Sequence, residues 1–263
     1  MFYTCLRALI LGFFILSSTP SWARSLILVD GILGDFVQST FNGIHDQWNR
    51  SGQGKAFLIR PSSFESWETN SEKILEEIRA HLVAQPEETF IVMAHSRGAA
   101  ELMLGLLRQP GMLKERQIEK VVLVQGAFWG SPLADWVAEN VDSKVDFLAS
   151  FRPALKSLTT LEAQTRMSRA MRQCPEEAKS LFMEKVAFIR ARQSFGKTRA
   201  ALKAGHLYLN IYVGRDTDGV LLTDRQFVTG FGQDWGVLEG DHFDWVEEGP
   251  KSTLLLERIL NRL

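Results

Sequence analysis

TFIVMAHSRGAAELMLGLL, residues 89–107, is the stretch that decides the fold. Phe90 to Ala94 is a short run without polar alternation, the pattern of a strand buried on both faces of a parallel sheet. His95, Ser96, Arg97 and Gly98 follow at once, and then a helical run with Ala99, Ala100, Leu102, Met103, Leu106 and Leu107 as its apolar residues. A serine at a tight strand-to-helix turn, with small residues two positions to either side, is the nucleophile-elbow pattern. The spacing has a steric cause: the serine is forced into a strained backbone conformation, and a bulky neighbour at either small position would strike the adjoining strand or helix. Ala94 stands at the first small position, where glycine is more usual, and Gly98 at the second. A helix beginning at Arg97 aims its free N–H groups back at the serine, where an oxyanion would form.

Working outward, Ser25 to Val29 (SLILV) reads as a buried strand running into Asp30-Gly31-Ile32-Leu33-Gly34-Asp35. A glycine-containing loop after an early strand offers a second backbone donor to the same oxyanion, placed here at Ile32, beside the one at Arg97. Ala56 to Ile59 reads as a short strand. Thr69-x-x-Glu72 resembles a capping box for a helix whose Ile74, Leu75, Ile78 and Leu82 share a face. Val121 to Val124 is the next buried strand. Strands alternating with helices at this spacing predict a parallel sheet covered on both faces, an α/β fold.

From Leu133 to Ala204 the strand pattern is lost, which predicts a helical cap over about 133–205, rich in apolar residues such as Trp136, Val137, Phe147, Leu148, Phe151, Leu155 and Leu158. Leu207 to Val213 (LYLNIYV) then predicts a strand, followed by a loop with Asp216 and Asp218. A last strand around Trp235 to Leu238 leads into Gly240-Asp241-His242, and a helix over about 252–263 closes the chain.

A serine hydroxyl becomes a nucleophile when a base takes its proton, and the base works best when a buried carboxylate fixes its tautomer. Ser96, then Asp218 or Asp216, then His242 supply these groups in the order serine, acid, histidine, each after a predicted strand. Asp218 is preferred because Asp218-Gly219-Val220 turns sharply after the carboxylate; Asp216 is the alternative acid. His95 is read as a packing or loop-bracing residue, and His45, His81 and His206 as structural or exposed. Asp216, Asp218, Asp241 and Asp244 together are the one set of carboxylates to weigh for calcium, a weak one with no carbonyl ligands beside it. No other metal or cofactor is expected.

With 263 residues, 45% of them hydrophobic, and a formal net charge of −1, the chain has the size and composition of a single globular domain, without a polybasic footprint for nucleic acid. Arg7, the apolar run Ala8 to Leu16, and Ser21-x-Ala23 have the form of a secretory signal peptide over 1–23, so export to the periplasm or medium is expected, with the domain over 24–263. Cys5 falls within that segment, leaving Cys174 alone and the exported fold without an internal disulfide.

These motifs together resemble the bacterial secreted lipases and esterases of the α/β-hydrolase superfamily. The matching pieces are DGILGD near the first strand, AHSRG at the elbow, GSPLADW and FRPALKSLT near the cap, TDGV at the acid and GDHF at the histidine. The resemblance implies a mostly parallel central sheet with helices on both faces and a helical cap. It also implies a serine carboxylic-ester hydrolase using Ser96, Asp218 and His242, with Ile32 and Arg97 as oxyanion donors. Asp30-Gly31 stands where many of these lipases carry His-Gly, which puts loop hydrogen bonding and the working pH range in question. The expected partner is a small-molecule or lipid ester, with transient lipid-surface contact through the cap. The alternatives are an acyltransferase or thioesterase on lipid or envelope acyl groups, a peptidase, or a non-catalytic binding protein on the same fold.

Overall fold

The buried apolar runs do form strands. The computed structural model describes residues 24–32, 39–140 and 154–263. The expected signal peptide with Cys5, the loop residues Leu33, Gly34 and Asp35, and the cap residues Phe147, Leu148 and Phe151 lie outside the described residues. Among the described residues one sheet has six strands, all parallel, in the order β2-β1-β3-β4-β5-β6. They are β1 (Arg24–Val29), β2 (Ala56–Ile59), β3 (Thr89–His95), β4 (Ile118–Val124), β5 (Val186–Arg192) and β6 (Gln233–Glu239).

Because successive side chains in a strand point to opposite faces, each continuous apolar run feeds two cores. On one face Ile27 and Val29 of β1 and Phe90, Val92 and Ala94 of β3 pack under α2 (Trp67–Ala84) and α3 (Ser96–Arg108), with α5 (Thr160–Gln173) beside α3. On the other, Leu26, Leu28, Ile91 and Met93 meet Ile44 and Trp48 of α1 (Asn42–Ser51) and Leu255, Leu256 and Ile259 of α8 (Pro250–Leu260). The helix α2 starts two residues before the expected capping box, and its cap is Ser66, whose hydroxyl accepts from the Thr69 N–H at 3.1 Å.

The chain builds outward from β1 to β2, then crosses back to β3 on the other side. The sheet therefore has its switch point between β1 and β3, where the loops leaving neighbouring carboxyl ends diverge and open a crevice. Those two loops are the ones carrying Asp30 to Ile32 and Ser96.

Two expectations are corrected here. Leu207–Val213 is not a strand: α7 (Lys203–Leu207) runs into a single π-helical segment, Tyr208–Tyr212. The strand expected there is β5, which lies inside the span read as a helical cap. Between β4 and β5 the described residues form α4 (Pro132–Asn140), a helical turn at residues 154–157, α5 and α6 (Lys179–Lys185), so the helical insertion ends at β5 and not near residue 205. The acid loop accordingly follows β5 after an excursion through α7. No helix among the described residues is long and apolar enough to cross a membrane.

Candidate active site

Ser96 follows β3 and begins α3 with φ +55°, in the left-handed region that a non-glycine residue adopts at a cost. The surrounding packing holds it there. Gly31 lies against it, so near that a Cβ on Gly31 would sit 3.0 Å from the Ser96 Cβ, and the Ser96 carbonyl accepts from the Ala127 N–H at 3.1 Å. Gly98 permits the closest approach: a Cβ there would lie 2.0 Å from the Asp30 carbonyl oxygen. The elbow and the loop after β1 are thus pressed together, backbone to backbone.

The structure brings Ser96, His242 and Asp218 into one hydrogen-bonded line. His242 Nε2 is 2.8 Å from Ser96 Oγ, and its Nδ1 is 2.7 Å from Asp218 Oδ2. A carboxylate only accepts, so Nδ1–H donates to Asp218 and Nε2 is left to accept from the serine. Asp216, the alternative acid, is exposed and pairs with Arg192 at 3.2 Å. Asp218 is fully buried, and both oxygens are satisfied. Oδ1 accepts from the Val220 and Leu221 N–H groups at 2.9 and 2.8 Å, closing the turn that Gly219 makes at φ +97°. Oδ2 accepts from His242 and also from the amides of Gln125 (2.9 Å) and Gln226 (3.1 Å).

The sequence carried no assignment for those two glutamines. Gln125 follows β4 with φ +48°, wholly buried, and its Nε2 also reaches the Asp241 carbonyl at 3.2 Å. Gln226 is fixed by Ala191 of β5, accepting from its N–H at 2.7 Å and donating to its carbonyl at 3.1 Å. A polar residue directly after the apolar run Val121–Val124 was the one available signal for Gln125. Replacing Gln125 by alanine removes one of the three donors to Asp218 Oδ2, so the carboxylate and the His242 ring it orients are held less firmly. The expected result is a kcat/KM on an activated ester lowered about tenfold to hundredfold. A kcat/KM equal to that of the unaltered protein would reduce Gln125 to a packing role.

His95 braces the histidine loop. Its Nε2–H donates to the His242 carbonyl at 2.8 Å, the two rings lie 4.7 Å apart, and burial, with His242 adding to it, holds His95 well below the usual imidazole range and neutral. Arg199 grips the same loop from outside through Asp241 (2.9 Å), Asp244 (3.1 Å) and Glu247 (2.8 Å). The four aspartates weighed for calcium are therefore divided among His242, Arg192 and Arg199. Among the described residues no cluster of three metal-ligating side chains forms.

Behind the elbow, Arg97 is buried and ion-paired to Glu101 at 2.8 Å, while its guanidinium donates to the Ser63 and Glu65 carbonyls at 2.9 and 2.6 Å. Asn70 completes the set, donating to Glu101 at 2.8 Å. Burial pushes the Glu101 carboxyl up to about 7 against the pull of Arg97. Asp30, beside the loop glycine, accepts from Thr40 Oγ1 at 3.0 Å; burial raises its carboxyl, opposed by Ser39, Thr40 and Arg60. The unusual carboxylate is thus folded into the loop that carries Ile32.

Ser96 and His242 open onto a cavity of about 190 Å³, walled by Ile32, Leu133, Val137, Leu155, Leu158 and Leu221 among others. A hydroxyl, a base, an orienting carboxylate and an apolar slot make an arrangement suited to attack on an acyl carbon.

No protein-family model matches this sequence, and no curated protein matches it either. Solved structures do. The chain is similar to the mature Bacillus licheniformis lipase BlEst2, at 16% identity over 92% of this chain and 94% of that one, with a TM-score of 0.69. It is similar to the metagenomic carboxyl esterase MGS0156, at 22% identity over 92% and 76%, TM-score 0.67. A structure of the metagenome-derived lipolytic enzymes LipS and LipT matches at 12% over 91% and 93%, TM-score 0.52. The chain has the α/β-hydrolase fold. In α/β-hydrolase terms, Ser96 occupies the elbow after β3, Asp218 the loop beyond β5 and His242 the loop after β6.

Proposed function

We propose that the chain is an exported serine hydrolase that cleaves carboxylic esters through an acyl-enzyme. The observation that carries the reading is the buried line Ser96–His242–Asp218 at the floor of an apolar cavity. Ser96 Oγ attacks the ester carbonyl as His242 Nε2 takes its proton, and Asp218 holds the ring in the tautomer that accepts. The backbone N–H groups of Ile32 and Arg97 stabilise the oxyanion. Collapse expels the alcohol with the proton from His242; water, deprotonated by His242, then attacks the acyl-enzyme and releases the acid. The acyl chain lies among Leu133, Val137, Leu155 and Leu158. Structures of the same fold that are named lipase and carboxyl esterase agree with this direction, and export is supported by the sequence pattern of residues 1–23.

Hydrolysis of p-nitrophenyl esters from acetate to palmitate, together with labelling by a fluorophosphonate, tests the reading. The expected outcome is turnover on part of the series and a covalent label on Ser96. Folded protein that neither labels nor turns over any ester overturns it.

A further inference from the structure

The excursion between β5 and the acid loop carries a surface that the cavity does not use. From Gln193 to Arg215 the sequence has Lys197, Arg199, Lys203 and Arg215 and no acidic residue, although the whole chain has a formal net charge of −1. Arg199 is bound to the histidine loop and Arg215 to Asp224, whereas Lys197 and Lys203 are exposed and form no ion pair among the described residues. Ala200, Ala204, Leu207 and Ile211 recur at helical spacing and all face solvent. Ile211 is 64% exposed and Tyr212 80%, both unusual for large apolar or aromatic side chains.

Ring contacts tie parts of this surface together. The Tyr212 ring stacks 6.0 Å from Tyr208, Tyr208 lies 6.1 Å from Trp136 of α4, and Trp136 is itself 45% exposed. Lys203 Nζ sits 5.6 Å from the ring centre of Phe195, which is also exposed. The face adjoins the cavity wall. Leu133, Ala134 and Val137 of α4 line the cavity, and α7 packs so near that a Cβ on Gly205 would lie 2.9 Å from Leu133 Cδ2. Val220 and Leu221, a few residues past Tyr212, line it as well.

We propose that this face, built from Trp136, Lys197, Lys203, Leu207, Ile211 and Tyr212, docks the protein peripherally onto anionic lipid surfaces. Exposed aliphatic chains enter the boundary between headgroups and acyl chains, and Trp and Tyr rings settle at headgroup depth with their polar edges in water. Unpaired lysines at the border are drawn to anionic headgroups. The docked segment is the excursion and the outer side of α4, distinct from the cavity lining. The biological sense of docking rests on the ester-hydrolase reading, since it sets the cavity wall beside lipid-held esters; the docking itself needs no catalysis.

The test therefore uses the full chain carrying Ser96→Ala, floated with vesicles of phosphatidylcholine alone or with phosphatidylglycerol added. Flotation with the phosphatidylglycerol vesicles is expected, reduced on pure phosphatidylcholine and at high salt. Adding Ile211→Asp and Tyr212→Asp, which alter exposed side chains, is expected to weaken partition about tenfold or more. Lys197→Glu with Lys203→Glu is expected to abolish the preference for phosphatidylglycerol. The same Ile211 and Tyr212 changes in the protein with its serine intact should leave hydrolysis of a soluble short-chain ester unchanged, which shows the variant is folded. Failure to float with any vesicle overturns the proposal, as does equal flotation of the Ile211→Asp/Tyr212→Asp protein. Sedimentation showing a dimer that these substitutions dissolve, without loss of vesicle binding, assigns the face to a second copy and also overturns it. A protein that floats but hydrolyses no ester keeps the lipid face and removes the ester-hydrolase reading.

Discussion

Ser96→Ala is expected to lower kcat on every ester the protein hydrolyses by about 10⁴ to 10⁶. The size of the effect follows from what else lines the cavity. Thr40 and Ser131 are the other hydroxyls there, and neither replaces the nucleophile: Thr40 donates to Asp30 at 3.0 Å, and Ser131 donates to the Val220 carbonyl at 2.6 Å. No second hydroxyl is hydrogen-bonded to His242 Nε2 among the described residues. Alanine keeps the strained backbone at φ +55° much as serine does, so near-UV circular dichroism and the unfolding midpoint should barely change. Retention of more than about one per cent of wild-type turnover is incompatible with the serine mechanism.

Gly98→Ala strikes the same site through the backbone. The new methyl would meet the Asp30 carbonyl oxygen at 2.0 Å and the Val29 carbonyl oxygen at 3.2 Å, and neither is the flexible end of a side chain. The loop that bears Gly31 and Ile32 must retreat from the elbow. Overpacking of this kind costs about 1–3 kcal/mol of stability, and displacing the proposed oxyanion donor Ile32 by an ångström is expected to cost about 10²-fold in kcat. Denaturant melts and kcat on a soluble ester measure the two effects. Gly111→Ala is the matched control, since nothing lies within 4 Å of a Cβ there, and both quantities should hold. Equal behaviour of the two variants would show that the approach of Gly98 to the first loop is unimportant for catalysis.

Most strands legible in the sequence are apolar runs, and the edge strand β6 was legible too, although its burial is uneven. β1, β2, β3 and β4 lie at or near the middle of the sheet, or are short, and their apolar runs show through. β5 was hidden because charged residues interrupt its second half. Its Arg190 and Arg192 reach Asp234 and Glu239 on β6, which breaks the apolar run. Leu207–Val213 misled in the opposite direction. Its alternating apolar residues fit a half-buried strand, but they are spread between contact with α4 and open solvent, and tertiary packing overrides the local β preference. At the site, the serine, acid and histidine stood out because chain order and turn residues mark them. Gln125, Gln226, Arg199 and the Arg97–Glu101 pair did not, since each acts across a distance that only the folded chain closes, as with Gln125 and Asp218, 93 positions apart.

The self-closing turn at Asp218 has a further consequence. By accepting from the Val220 and Leu221 N–H groups, the carboxylate ties its own loop, and Gln125 and Gln226 fasten it to the sheet through β4 and β5. The preceding stretch from Gln193 to Arg215 is thereby relieved of placing the acid. Apart from Arg199, which holds the histidine loop through Asp241, Asp244 and Glu247, residues of that stretch can change without disturbing the geometry around His242. The outer face of the protein is free to diversify on its own evolutionary timetable, trading one surface to be met for another while the chemistry underneath stays fixed.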